Sequence, residues 1–419
     1  MPPATLIFPA IHFLKTASML DLTSPHPYWF VKNGLPHSYP PLANDRTCEV
    51  AIVGGGITGA MIAQRLAESG FAVLLLDARD VALGSTSAST ALLQYEIDVM
   101  LVDMADQIGE ESARRAYELS YRSIDELEAL VQRTGADCGF RKKTSLYMAS
   151  DRKKAKRLAE EFRARRSLGF DVRYLDHDRL RDEFHLEGVS ALVTGHAASV
   201  DPYRFCHALL QDARRLGAEI HDRTKVVEFD VRADHVRLVT NRGVTVAAQQ
   251  VVIASGYEAQ SLLREKVVDL DSTYALVSQP LEDLGPWDVD WMFWEAKEPY
   301  LYLRCTDDRR LLAGGEDDAF HDADRRDAKL PEKVKRLEEH VRRLIPGLEW
   351  ETEFSWAGTF GTTRDGLAYI GSSPEYPRCQ FALGFGGNGI TFSMMASEIL
   401  DHALRGRTHP AAHLFRFGR

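Results

Sequence analysis

Apolar positions are distributed unevenly along the chain, and the changes of pattern mark its elements. In EVAIVGGGITGAMIAQRLAESGFAVLLLDARD, an apolar run from Val50 to Val53 precedes a glycine turn, an amphipathic helix and a second apolar run from Ala72 to Leu76. Runs apolar on both faces suit buried parallel strands, so the segment predicts a βαβ unit. Apolar residues at helical spacing, with Glu110, Glu111, Arg114 and Arg115 between them, predict helix from Met100 to Thr134. Further charged helices are predicted over 152–167, 204–216 and 332–344. Alternation around turn signals at Ala233-Asp234 and Asn241-Arg242-Gly243 predicts an antiparallel hairpin layer that returns to a buried strand, Val251 to Ala254. Residues 270–320 read as strands broken by Pro280, Pro286 and Pro299, and QFALGFGGNGITFSMMASEILDHALRG is again strand, glycine turn and helix.

This order predicts an α/β protein with a doubly wound, Rossmann-like nucleotide-binding domain and a discontinuous α+β substrate domain. The first is expected from 47–135, 196–260 and 353–419, the second from 136–195 and 261–352, and residues 1–46 form an N-terminal arm. Within the arm, residues 24–46 are rich in proline and polar residues, with Tyr28, Trp29 and Phe30 as anchors to the body. The apolar first twenty residues lack a basic start, contain Pro9 and show no convincing cleavage site before Asp21, so they read as an ill-defined extension rather than a signal.

Length and composition narrow the classes. A chain of 419 residues, 45% hydrophobic and 27% charged, can bury a large core. The net charge of -10 leaves no overall basic surface for phosphates, which argues against nucleic acid as a partner. No stretch of about 18 apolar residues occurs, so no integral membrane segment is expected. The five scattered cysteines point to a reducing, cytoplasmic setting. His196, His207 and His221 are too spread for a metal cluster, and no metal is expected.

The glycine turn carries the first chemistry. Gly54, Gly56 and Gly59 satisfy G-x-G-x-x-G between a strand and a helix, and Asp77 ends the next strand 23 positions after Gly54, close to the spacing of a ribose-binding carboxylate. Gly54 permits the turn, Gly56 the approach of a pyrophosphate and Gly59 the helix packing, while Ile57 and Thr58 open the helix whose N–H groups face that phosphate. An acid at 77 favours FAD or NAD over NADP, with Ala78 and Arg79 beside it.

The segments GSTSASTALL (84–93), VVIASGYEA (251–259), WEAKEPYLYLR with LLAGGED (294–317), SWAGTFGTTRDGLAYIG (355–371) and GFGGNGITFS (384–393) then stand in an order that resembles the FAD-dependent D-amino-acid oxidase superfamily. Its glycine oxidase, sarcosine oxidase and gamma-glutamylputrescine oxidase branches are the most similar. The resemblance implies FAD contacts from Gly84, Ser85, Thr86, Ser87 and Thr90, from Val226 at the adenine, and from Ala254, Ser255 and Gly256 beside the pyrophosphate. It also places Gly386, Gly387, Asn388, Gly389, Ile390 and Thr391 at the flavin, where N–H groups can meet the negative charge left by hydride arriving at N5.

Departures from the family pattern bear on the substrate. No cysteine stands in the segment through which covalent relatives attach the cofactor, so FAD is expected to be non-covalent. The position matched to an arginine that pairs with a substrate carboxylate is Phe360, which disfavours a simple α-amino acid and favours amines or N-substituted compounds. Strand periodicity puts Tyr300, Tyr302 and Arg304 on one face. Tyr302 and Arg304 are the candidate substrate contacts, unless the strand is a surface one with Arg304 paired to Asp307 or Glu316. The lysine some sarcosine oxidases use with oxygen has no counterpart in LLAGGED. The expected activity is oxidation of a C–N bond to an imine by hydride transfer to flavin N5, with O2 or another acceptor. The alternatives are a dehydrogenase that passes electrons to a quinone or protein, and a non-catalytic flavoprotein.

Overall fold

The computed structural model describes residues 19–297 and 299–419. Residues 1–18, which hold most of the apolar extension, lie outside the described residues. Two sheets organise the rest. The eight-stranded sheet runs in the order Tyr369–Ser372, Cys379–Leu383, Thr245–Ile253, Arg46–Val53, Val73–Leu76 and Glu219–His221, with the hairpin Val226–Val231 and Val236–Thr240 paired onto Thr245–Ile253. Its five central strands are parallel. This is the expected Rossmann-like core: the apolar run at Val50–Val53 lies between two other strands, helices cover one face, and the hairpin with the short helical turn Gly256–Leu262 packs on the other. Helices Ile57–Glu68, Pro202–Arg215 and Gly389–Leu404 pack together on one face.

The second sheet has nine strands and is mixed. Leu301–Cys305 lies inside it, between Trp291–Glu295 and Arg310–Asp318, so it is not a surface strand. Leu92–Gln94 and Thr352–Thr362 also pair in this sheet, although their places in the chain lie within the segments assigned to nucleotide binding. The two sheets therefore exchange chain at residues 92–94 and 352–362.

Three elements differ from the sequence expectation for local reasons. The helix expected over 100–134 is two, Leu101–Ile108 and Glu110–Thr134, because Gly109 turns the backbone at φ +89°. The helix ending at Leu344 starts at Ala323 instead of 332, where the Asp322 carboxylate accepts the Arg325 N–H and caps it. Among its described residues, the N-terminal arm holds one short helix, Tyr28–Asn33, whose Tyr28 and Trp29 are buried; the Trp29 indole donates to the Ser89 carbonyl at 2.6 Å.

One buried charge cluster joins helices to the cavity wall. Glu161, fully buried, accepts the N–H groups of Leu101 and Val102 at 2.9 and 3.0 Å and so caps that helix. Arg165 donates to Glu161 at 2.7 Å and to Glu96 at 3.2 Å. Burial raises the Glu96 pKa, and Arg165 opposes that rise. Replacing Arg165 by leucine leaves two buried carboxylates without their cation, so the Arg165→Leu variant should lose about 3–5 kcal/mol of stability in urea unfolding. A loss below about 1 kcal/mol would contradict the role assigned to this cluster.

Candidate functional site

Where the strand Arg46–Val53 ends, the chain must turn between its two parallel neighbours. The Gly54 N–H donates to Leu76 O at 2.8 Å, and Ala254 N–H donates to Val53 O at 2.8 Å. Gly54 has φ +114°, and a Cβ there would stand 2.4 Å from Ala254 O. A Cβ on Gly59 would stand 1.9 Å from Gly54 O, so the helix seats directly on the turn. Both positions need glycine for close approach of backbone to backbone.

Beyond this turn opens a cavity of about 1430 Å³, larger than the roughly 300–1,000 Å³ that holds a drug-sized ligand. It has the size of a dinucleotide with a small molecule beside it. Gly54, Gly56, Ile57 and Thr58 line it at the helix N-terminus, as do Asp77, Ala78, Gly84, Ser85, Thr86 and Thr90. Thr86 Oγ1 accepts the Ile57 N–H at 3.0 Å and fixes the two loops against each other. Val226, Ala254, Ser255 and Gly256 line the cavity too, as does the whole turn from Gly386 and Gly387 through Asn388, Gly389 and Ile390 to Thr391.

The cradle fits a pyrophosphate-bridged cofactor on its own geometry: glycines that admit no side chain, a helix N-terminus at the wall, and a carboxylate at the end of the second strand. Asp77 accepts N–H groups from Gly55 at 2.6 Å and Arg79 at 2.7 Å, yet burial lifts its pKa to about 6. Arg79 also lines the cavity, but its guanidinium is held by Glu258 at 3.0 and 3.1 Å and by Leu20 O at 2.9 Å. This arginine is committed to protein partners, which leaves the Asp77 carboxylate as the charged group at the end of the second strand.

A sequence profile described as DAO, FAD dependent oxidoreductase, matches residues 49–403. The chain belongs to this family. FAD is the cofactor of this flavoenzyme. Among relatives, it is 24% identical over 412 residues to the putative Rieske 2Fe-2S iron-sulfur protein YhfW of Bacillus subtilis (strain 168), covering 96% of this chain and 76% of that protein. It is 24% identical over 375 residues to gamma-glutamylputrescine oxidoreductase of Escherichia coli (strain K12), covering 86% and 84% of the two chains. The crystal structure of glycine oxidase from Geobacillus kaustophilus superposes with a TM-score of 0.75 at 24% identity, covering 87% of this chain and 96% of that one, which shows a shared fold.

Three expected site residues stand elsewhere. Gly59 and Ser87 are behind the wall: Gly59 packs on Gly54, and the buried Ser87 hydroxyl donates to Gly84 O at 3.0 Å. Arg304, expected at the substrate, points away from the cavity. Its fully buried guanidinium donates to the carbonyls of Thr90, Val200 and Cys305 at 2.7, 3.0 and 3.3 Å and lies over the Trp29 ring, and burial lowers its pKa to about 10. The strand is interior, so an arginine there must satisfy its donors on backbone carbonyls rather than on Asp307 or Glu316. It positions the Thr90 segment of the wall.

Tyr302 does reach the cavity, and so do Tyr300 and Phe360. Gly314 makes room for Tyr302, since a Cβ there would meet its hydroxyl at 2.2 Å. Burial and the nearby Asp317 raise the Tyr302 pKa to about 12, so its phenol stays protonated. Tyr300 donates to Asp317 at 2.5 Å. Sequence reasoning did not single out Trp294 stacked on Tyr147 at 3.6 Å, Tyr257, Glu96 or Asp98 as site residues, all of which line the same space. Among the described residues, carboxylate side chains in the wall number ten against four basic ones, Arg79, Lys154, Lys225 and Lys297. The five cysteines are free and buried, and none lines the cavity. Among the described residues no group of His, Cys, Asp or Glu could hold a metal, and no helix is long and apolar enough to cross a membrane.

Two predictions follow from the cradle. Gly54→Ala should lose stability and purify without FAD, read as a lower urea midpoint and loss of the visible flavin band; a yellow variant with unchanged stability and FAD affinity would contradict the close approach at Ala254. Because the Asp77 pKa is raised from 3.8 to about 6, its contribution to stability of the FAD-free protein is fully present below pH 3.8 and is lost as pH rises through 6. In the FAD-free protein, Asp77→Asn should therefore gain stability over wild type between those pH values and hold a constant advantage above them, measured by urea unfolding at each pH.

Proposed function

We propose that this flavoenzyme oxidises the C–N bond of an amine or N-substituted amino compound to an imine, which water hydrolyses to a carbonyl compound. One observation carries the reading: among the described residues, the cavity wall holds a single arginine, Arg79, which Glu258 and Leu20 occupy, while its carboxylates far outnumber its cations. A substrate carboxylate finds no bidentate partner there, and Phe360 stands where the resemblance expects one. A positively charged amine meets complementary charge. The name of the gamma-glutamylputrescine oxidoreductase relative supports an amine in such a site.

Bound in the cavity, FAD supplies N5 as the acceptor for the hydride from the carbon beside nitrogen. The chain's own residues bind, orient and dehydrate. Trp294 on Tyr147 forms a flat apolar wall, Phe360 closes another side, and the phenols of Tyr300 and Tyr302 remain protonated donors. The amine must give up its extra proton before the hydride leaves, because the nitrogen lone pair forms the imine, and a carboxylate of the wall can take it. Holding the neutral amine in one pose against the cofactor then needs no further base. With no cysteine in the wall, FAD is held non-covalently. The five unpaired cysteines accord with a reducing, cytoplasmic setting.

An anaerobic visible-absorption titration of the FAD-loaded protein tests this. Primary or secondary amines should bleach the flavin band while simple α-amino acids at equal concentration leave it intact. Readmitted air restores the colour at once if O2 is the acceptor, and slowly if a quinone or protein is. Bleaching by α-amino acids but by no amine would overturn the reading.

A further inference from the structure

Asp98 lies on irregular chain between the strand Leu92–Gln94 and the helix Leu101–Ile108. Its carboxylate sits on the glycine turn that opens the last long helix. The Gly387 N–H donates to Asp98 Oδ2 at 2.8 Å, and Cβ atoms built on Gly386 and Gly387 would stand 2.4 and 2.7 Å from its oxygens. The turn is bare of side chains where Asp98 occupies the space. Asp98 is also part of the cavity wall, and its side chain is exposed.

The surroundings leave its charge unbalanced. Enclosing protein raises its pKa, the Gly387 N–H opposes that rise, and no cation contributes. The phenols of Tyr257 and Tyr300 are near enough for its charge to raise their own pKa values. An exposed carboxylate on a cavity wall, held by one N–H donor and with no cation beside it, has room for a charged partner, and an ammonium group brings both the charge and further donors.

We infer that Asp98 anchors the positively charged nitrogen that the substrate carries at neutral pH, and so selects ammonium-bearing compounds. This rests on the amine reading above and names the residue that enforces it. The anchor stands on the same turn as the expected flavin contacts, which brings the substrate nitrogen and the cofactor to one place in the wall.

Asp98→Asn removes the charge while keeping the size and an acceptor for Gly387. Two probes test the anchor in the FAD-loaded protein: tert-butylamine, an ammonium ion at neutral pH whose carbon bears no hydrogen to lose, and tert-butanol, its neutral isostere. Binding is read as a perturbation of the visible flavin spectrum. Wild type should bind tert-butylamine at least about 10-fold more tightly, and the difference should vanish in Asp98→Asn. For any amine that bleaches the wild type, the variant should keep its FAD and show a KM raised about 100-fold, with a smaller change in kcat. Equal affinities in wild type, no perturbation by either probe, or discrimination preserved in Asp98→Asn would each overturn the inference. If amines bleach the protein regardless of Asp98, the anchor fails and the amine reading stands. If tert-butylamine is selected through Asp98 but no amine bleaches, the amine reading fails and the cation site stands.

Discussion

The structure depends on one close approach of backbone to backbone, where Gly54 turns against Ala254 and Gly59 seats its helix on Gly54. No side chain fits at either contact, so three parallel strands and one helix converge with bare peptide groups at their meeting point. That convergence is the crevice at the carboxyl ends of the strands, where open α/β sheets bind ligands. Chain from distant regions then lines it, among them residues 84–86, 88–94, 254–258 and 384–391 with Glu96 and Asp98.

The second sheet supplies the opposite wall, and fixed polar contacts hold it to the first. Arg304 anchors the Thr90 carbonyl, Trp29 reaches Ser89, and Leu20 with Leu22 runs between Arg79 and Thr359. These contacts satisfy donors that burial would otherwise leave unpaired. Other groups in the wall are less comfortable: burial raises the pKa values of Asp77, Glu96 and Asp98. Strained charge of this kind is the expected mark of a binding site, because a ligand can relieve what the fold alone does not.

Much of this was legible in the chain. The βαβ unit and its glycine turn could be read because short-range spacing dictates both, and four of the five parallel strands follow from their apolar runs, while Glu219–His221, with one buried residue, does not. Loops that line the cavity were legible through ordered motifs, down to Thr86 and the Gly386–Thr391 turn. What could not be read were facts of long-range packing. Tyr302 and Arg304 share a strand face, yet Gly314 makes room for the tyrosine while the arginine turns to backbone carbonyls. Asp98 carries no motif, and only the fold brings it across 289 positions to Gly387. The entry of Leu92–Gln94 and Thr352–Thr362 into the nine-stranded sheet also lies beyond local pattern.

The most direct test of the account is a crystal structure of the dithionite-reduced, FAD-loaded protein with an amine bound. The account predicts the pyrophosphate over Gly54–Thr58, the flavin against Gly386–Ile390, and the amine nitrogen within hydrogen-bond reach of the Asp98 carboxylate, enclosed by Trp294, Tyr302 and Phe360. A dinucleotide seated elsewhere, or an amine whose nitrogen turns away from the acidic wall, would contradict it.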